Sequence, residues 1–485
     1  MKRNFLPFTL LIAGVMMLAS CLGDDDNSSN ITYYGDTAIT SFSIGTMTRT
    51  YLYNNGDTIK TIDNADSTTT VDGSDFDFTI DQLKHEIYNT DSLPAGTDVS
   101  KVLCSVSSKN SGVVFVRRLS SDTLDYYTGS DSLDFPLIDK KRKREFRVYS
   151  TDGTSYRKYT VELRVHKELP DSFTWQKQTI ADGLSQFDVK NTNAFAMGDN
   201  IFAVVGGENT SMFLSKGIND NSEWKVFSSN MNTVFGPDAY KNVAVLGGWI
   251  YVLNGRNLYK SQDGETWEPV SMTDAGNIKR LVGASSHKLY AITDNGMASS
   301  KDGTTWTDIN IDGDAALLPD GRVSFCIIPS ATNSSVERLI MTGNGLQADT
   351  AAVVWGKIED NDNAQDGYSW SLYEGGYKRM LPNMAGLSVV RYDGALYAIG
   401  GAGLGGSTAA PFAQLYCSTD QGLTWHKSTL FSLPADMPKD TDPNTVCMTV
   451  DSYNNVWIVC AKTAQVWKMR INRLGWETEQ KAFNK

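Results

Sequence analysis

Ser261-Gln262-Asp263-Gly264-Glu265-Thr266-Trp267 decides how the rest of this chain is read, because close copies of it recur downstream. It returns as Ser300-Lys301-Asp302-Gly303-Thr304-Thr305-Trp306 and as Ser418-Thr419-Asp420-Gln421-Gly422-Leu423-Thr424-Trp425. The residue types suit a tight hairpin. Serine and aspartate oxygens accept from the amides of the turn, glycine takes a positive φ, and the indole is large enough to wedge between neighbouring units. Ser261, Asp263, Gly264 and Trp267, with Ser300, Asp302, Gly303 and Trp306 and with Ser418, Asp420, Gly422 and Trp425, are therefore expected to shape the fold and to do no chemistry. A repeat of this kind governs the reading of everything around it.

Working outward, tryptophans fall at 224, 267, 306, 370, 425 and 476, spaced 43, 39, 64, 55 and 51 residues apart. Ahead of most of them lies a pair of apolar runs broken by glycine or a polar turn, as in Val243 to Leu253, Leu281 to Thr293, Leu387 to Ile399 and Cys447 to Val459. Asn219 to Trp224 and Gln365 to Trp370 are degenerate copies of the turn, and a sixth unit ending at Trp476 lacks it. Units of this length with strands of even spacing predict a six-bladed β-propeller over residues 172–485. Phe173-Thr174-Trp175-Gln176 is placed to supply a strand that closes the ring against the last blade.

The repeat resembles the Asp-box of sialidase-like propellers, while Gly206-Gly207, Gly247-Gly248 and Gly400-Gly401 look like kelch doublets. That resemblance implies a ligand on the face opposite the Asp-box turns, where the connections between second and third strands and between blades lie. The long segments there are Gly343 to Ala352 and Gly400 to Phe412. Lys241 and Arg280 stand 39 residues apart at equivalent positions before inner strands, and Arg322 opens the fourth. Three cations so placed are expected either to converge on a ligand carboxylate, as an arginine triad does in sialidases, or to sit on the rim. No arginine-proline element of the sialidase type occurs between Ser172 and Asn230, and Tyr373-Glu374 is adjacent in sequence without any assurance of contact in space.

The amino terminus adds an address. Met1-Lys2-Arg3-Asn4 precedes an apolar run from Phe5 to Leu18, too short to span a bilayer with assurance and typical of a signal peptide. Leu18-Ala19-Ser20-Cys21 resembles a bacterial lipobox, which implies removal of residues 1–20, lipidation of Cys21 and attachment to outer-membrane lipid. The acidic tether 21–30 resembles the export signal of surface lipoproteins of Bacteroides type, so cell-surface display is the expected location. A net charge of −12 argues against a nucleic-acid partner.

Residues 31–171 alternate polar and apolar positions between turn residues and predict short strands, with one possible helical turn at Asp81 to Tyr88. The last hairpin, Phe146 to Val165, resembles the end of an Ig-like β-sandwich. Lys140 to Arg144 is a run of five cations, read as a solvated strand lead-in or an anion contact. Cys447 and Cys460 flank a turn symmetrically and are read as buried thiols that could face each other on adjacent strands.

No metal and no cofactor is expected. The four histidines are isolated, Asp360, Asp362 and Asp366 lack the rest of a calcium loop, and no phosphate loop or dinucleotide fingerprint occurs. The chain is thus expected to be all-β, an Ig-like sandwich followed by a six-bladed propeller. Its expected function is binding of a carbohydrate or protein ligand without turnover. A sialidase-like glycoside hydrolase is the alternative, and a structural part of an envelope complex is a further one.

Overall fold

The computed structural model describes residues 35–476 apart from 51, 56–57, 62–67, 136–142, 181–183, 185–186, 220–221, 228–233, 274–277, 345–349, 364–367 and 374–378. The signal, the tether and Cys21 lie outside the described residues. The chain divides after Lys167 into two compact units, a few residues before the expected boundary at 171.

The first unit is all-β. Its largest sheet has six strands, and in it Arg144–Tyr149 and Tyr156–Glu162 pair antiparallel through Tyr149 opposite Tyr156, as the sequence predicts. Tyr156–Glu162 also pairs in parallel with Glu86–Asn89. The helical turn expected at Asp81 to Tyr88 does not form: Phe78–Asp81 and Glu86–Asn89 are strands of a hairpin. Asp81 accepts from the amides of Leu83 and Lys84 at 2.9 Å each, and His85 adopts φ 57°, so a side-chain-capped turn outcompetes the helix. Phe42, Phe146 and Tyr127 meet edge to face in the core. Arg144, from the basic run, is buried and donates to the carbonyls of Asp134 and Arg117, and Lys143 pairs with Glu162 at 2.8 Å. These two cations are therefore partnered within the fold, and Lys140 to Arg142 lie outside the described residues.

The second unit, from Glu168, is a β-propeller. Among the described residues it has six sheets, and in each the first four strands from the axis outward follow chain order except in the sixth, whose outermost strand comes from the start of the unit. The inner strands are Asn191–Met197, Val243–Leu246, Ile278–Ala284, Ser324–Pro329, Ser388–Tyr392 and Val446–Val450, and they define blades one to six. The fourth blade carries a fifth strand, Ile311–Asp312, parallel to Trp370–Leu372. Closure is discontinuous in sequence. Gln176–Thr179, from the start of the unit, pairs antiparallel with Gln465–Met469 and completes blade six. The tryptophan ahead of that outer strand is Trp175, just as Trp267, Trp306 and Trp425 precede the outer strands of blades two, three and five. Trp175, not Trp476, is thus the sixth member of the series, and its indole donates to Ser432 O at 2.9 Å. The spacing in sequence misassigns it because the sixth blade is assembled from both ends of the unit.

Each copy of the repeated Ser-Asp-Gly-Trp stretch behaves as a turn. In the first, Gly264 N donates to Ser261 Oγ at 2.9 Å, and the amides of Glu265 and Thr266 donate to Asp263 Oδ1 at 2.8 Å. Gly264, Gly303 and Gly422 have φ of 76°, 83° and 94°, values that suit glycine alone among residues of ordinary size. The indoles of Trp267, Trp306 and Trp425 donate to the carbonyls of those glycines at 3.1, 3.0 and 3.1 Å. Each ring then buries itself against the preceding blade: Trp267 lies with Phe202, Val204 and Phe213 of blade one, and its centroid is 5.0 Å from that of Phe213. Burying such a ring contributes several kcal/mol, of the order of 3–5 by truncation.

Candidate functional site

Chain direction separates the two faces of the ring. Inner strands begin on one face, so the tryptophan-bearing turns between third and fourth strands lie on the other, together with the hairpins between first and second strands. The inner-strand starts, the links between blades and the loops between second and third strands share the first face.

Lys241, Arg280 and Arg322 all sit there, at the mouth of the central opening. They are close enough to Tyr240 for all three charges to act on it, yet its phenol is raised, since burial outweighs the downward pull of Lys241, Arg322 and Arg280. Their donors, however, are occupied. Arg280, 6% exposed, donates to Pro319 O at 2.9 Å and to Gly321 O, and burial draws it down to about 10. Arg322 donates to Thr192 O at 2.5 Å and Gly386 O at 2.6 Å, bridging blades one, four and five, and burial lowers it too. Lys241 pairs with Asp238 at 3.0 Å. This corrects the expectation of a triad open to a ligand carboxylate, and equally that of exposed rim residues. Of these carbonyls Thr192 O belongs to an inner strand, whose edge toward the axis has no ladder partner, while Pro319, Gly321 and Gly386 lie on the links leading into blades four and five, so the guanidiniums satisfy backbone oxygens that no strand pairing covers.

Glu374 of the Tyr373-Glu374 pair lies outside the described residues, and among those described a tyrosine hydroxyl meets a glutamate elsewhere. Tyr290 donates to Glu359, which also accepts from Ser285 at 3.2 Å and lies 3.7 Å from the Lys288 ammonium. Both Tyr290 and Glu359 are 0% exposed, so no sugar ring can reach them, and the cluster ties blade three to blade four. Cys447 and Cys460 are both buried and free. Cys447 stands opposite Val459 and Cys460 opposite Val446, so the two thiols are one residue out of register and point to opposite sides of the sheet. They do not face each other. Asp360 accepts from the amide of Asp362 at 3.2 Å, and no group of three metal-ligating side chains occurs among the described residues.

What the loop face does offer is a cavity of about 550 Å³ over blades four and five. Thr350 comes from the loop 344–352, Pro382 from the link between the blades, and Ser407, Thr408, Gln414 and Tyr416 from the long loop of blade five or the start of the next strand. The two loops touch: a β-carbon on Gly406 would come to 2.7 Å from Thr350 Cγ2. The link joins them, with Asn383 N donating to Thr350 O at 3.0 Å and Leu404 N to Asn383 O at 2.9 Å. Hydroxyl, amide and phenol groups line the cavity, with no carboxylate or histidine among its lining residues. Loop length pointed to both walls; the contribution of Met380 and Pro382 left no signal in the sequence, because their link is unremarkable until it is folded between the loops.

No curated protein matches the chain. Solved structures similar to it include an α-L-arabinanase of Penicillium chrysogenum bound to arabinobiose, at 11% identity and TM-score 0.39, covering 62% of this chain and 99% of that one. A gluconolactonase of Xanthomonas campestris is similar at 10% identity and TM-score 0.35, covering 61% and 90%. A carbohydrate-active enzyme of family AA12 from Trichoderma reesei follows at 11% and 0.34, covering 61% and 96%. None of them assigns a role to a residue of this chain. The DUF6242 beta propeller domain matches residues 169–479 and the Domain of unknown function (DUF6242) N-terminal domain matches residues 42–163, and the chain accordingly belongs to the DUF6242 family.

Proposed function

We propose that this chain is a lipid-anchored protein of the outer membrane and cell surface, whose propeller binds a glycan without turnover through the loop face of blades four and five. The observation that carries the reading is the cavity there, lined by Thr350, Ser407, Thr408, Gln414 and Tyr416. Neutral hydroxyl and amide groups beside an aromatic ring suit sugar hydroxyls and the apolar face of a pyranose. Retention without hydrolysis is favoured because a glycosidase needs two carboxyl groups across the bond, and the described lining residues supply none. The Asp-box carboxylates face the other way and are held by turn amides. In this reading the N-terminal unit is an Ig-like spacer and Cys21 carries the lipid.

A glycan array read beside a fluorogenic glycoside assay tests the proposal, with retention and no turnover as the expected pair of results. Turnover, or retention unaltered in Tyr416→Ala with Gln414→Ala, would overturn it. Palmitate labelling lost in Cys21→Ala checks the anchor.

A further inference from the structure

A second cavity, of about 350 Å³, adjoins the first on blade five. Ala413 and Gln414 line both, and Tyr416 of the first cavity is the cross-strand partner of Lys427, which lines the second. The second cavity has a different character. Phe431, Pro434 and Met437, all buried, and half-buried Leu433 form an apolar floor continuous with the core between blades five and six. At its edge stand Lys427 and Lys439, both exposed, and these are the charged groups among its lining residues.

Two cations with no acid lining the same cavity are out of keeping with a chain of net charge −12. The field of the whole protein repels anions, so these lysines make a local exception to it, and the apolar floor beside them adds burial to charge attraction. Asp436, between the lining residues Ala435 and Met437, is engaged elsewhere, accepting from the Trp467 indole at 3.0 Å and pairing with Lys177 at 2.9 Å.

Resting on the glycan reading above, the geometry points to an acidic oligosaccharide as the ligand. A neutral unit occupies the cavity at Tyr416, and the next unit, bearing a carboxylate or sulfate, lies on the apolar floor with its anion at Lys427 and Lys439. Ammonium groups accept either anion as point charges, and the ring carbons cover the floor.

The full chain is titrated calorimetrically with short oligogalacturonate, a heparin oligosaccharide and a neutral galactan oligosaccharide. The expected result is tighter binding of at least one acidic probe than of galactan, weakened by raised salt. Lys427→Gln with Lys439→Gln should lose about tenfold in affinity for the acidic probe, as two partly exposed ion pairs imply, and leave galactan unchanged. Lys427→Arg with Lys439→Arg should retain it. The carboxylated and sulfated arms identify the anion. Equal affinity for acidic and neutral probes, or no change in the glutamine variant, overturns the acidic ligand while leaving glycan binding standing. Failure of every probe together with a blank glycan array overturns both.

Discussion

Arg322, ahead of the inner strand of blade four, donates from Nη1 to the carbonyl of Thr192 on blade one at 2.5 Å, a hydrogen bond that spans the central opening. Its Nη2 reaches Gly386 O at 2.6 Å on the approach to blade five. A cation so used is a brace, and its removal should be felt in stability. Arg322→Leu leaves these carbonyls without their donor and is expected to lower unfolding free energy by about 3 kcal/mol, measured by denaturant titration. Arg322→Lys, with one compact ammonium in place of a fork, should recover less than half. Unchanged stability with lost ligand affinity would restore the ligand-binding role.

The ring depends on a strand borrowed from the start of the unit. Deleting Phe173–Thr179 uncovers the edge of Gln465–Met469, until then paired from Gln176 opposite Lys468 to Thr179 opposite Gln465. An unpaired strand edge recruits other chains. The shortened protein is expected to melt lower and to form multimers in light scattering.

Asp302 reports on the repeated turns through pH. The Thr304 hydroxyl and then the Thr304 amide hold its carboxyl below the ordinary 3.8. A folded-state value below the unfolded one means stabilisation that is present above pH 3.8 and lost as pH falls through the folded value. Asp302→Asn should therefore destabilise at neutral pH, by no more than about 0.5 kcal/mol because the carboxylate is exposed and screened by solvent, and the difference from the parent should vanish in acid, as thermal melts across pH 2–7 would show.

The five thiols Cys104, Cys326, Cys417, Cys447 and Cys460 are buried, and burial raises Cys104, Cys326 and Cys447 to about 12. Thiolate is thus scarce and inaccessible. Aromatic disulfide reagents should modify none of them in the native protein and all of them after unfolding. Mild oxidation should leave Cys447 and Cys460 unlinked, checked by mass under non-reducing conditions.

Repetition in the sequence determined the propeller. Ser261, Asp263, Gly264 and Trp267 and their copies are local devices whose hydrogen bonds close within a few residues, so their spacing announces the blades without knowledge of the rest. Closure of the ring from just ahead of the first blade was also legible, although the strand runs Gln176–Thr179 and shares only Gln176 with the expected Phe173 to Gln176. Only the tertiary structure decided what depends on partners far apart along the chain. It made Trp175 the sixth wedge, set Cys447 and Cys460 on opposite sides of one sheet, and turned Arg280 and Arg322 onto carbonyls of other blades and the links between them. It also joined two loops, an interblade link and Lys427 with Lys439 into adjoining cavities. Side-chain periodicity reports which way a residue faces within its own strand, whereas a pocket or a brace is formed by surfaces that meet when the ring closes, and no spacing along the chain encodes that meeting.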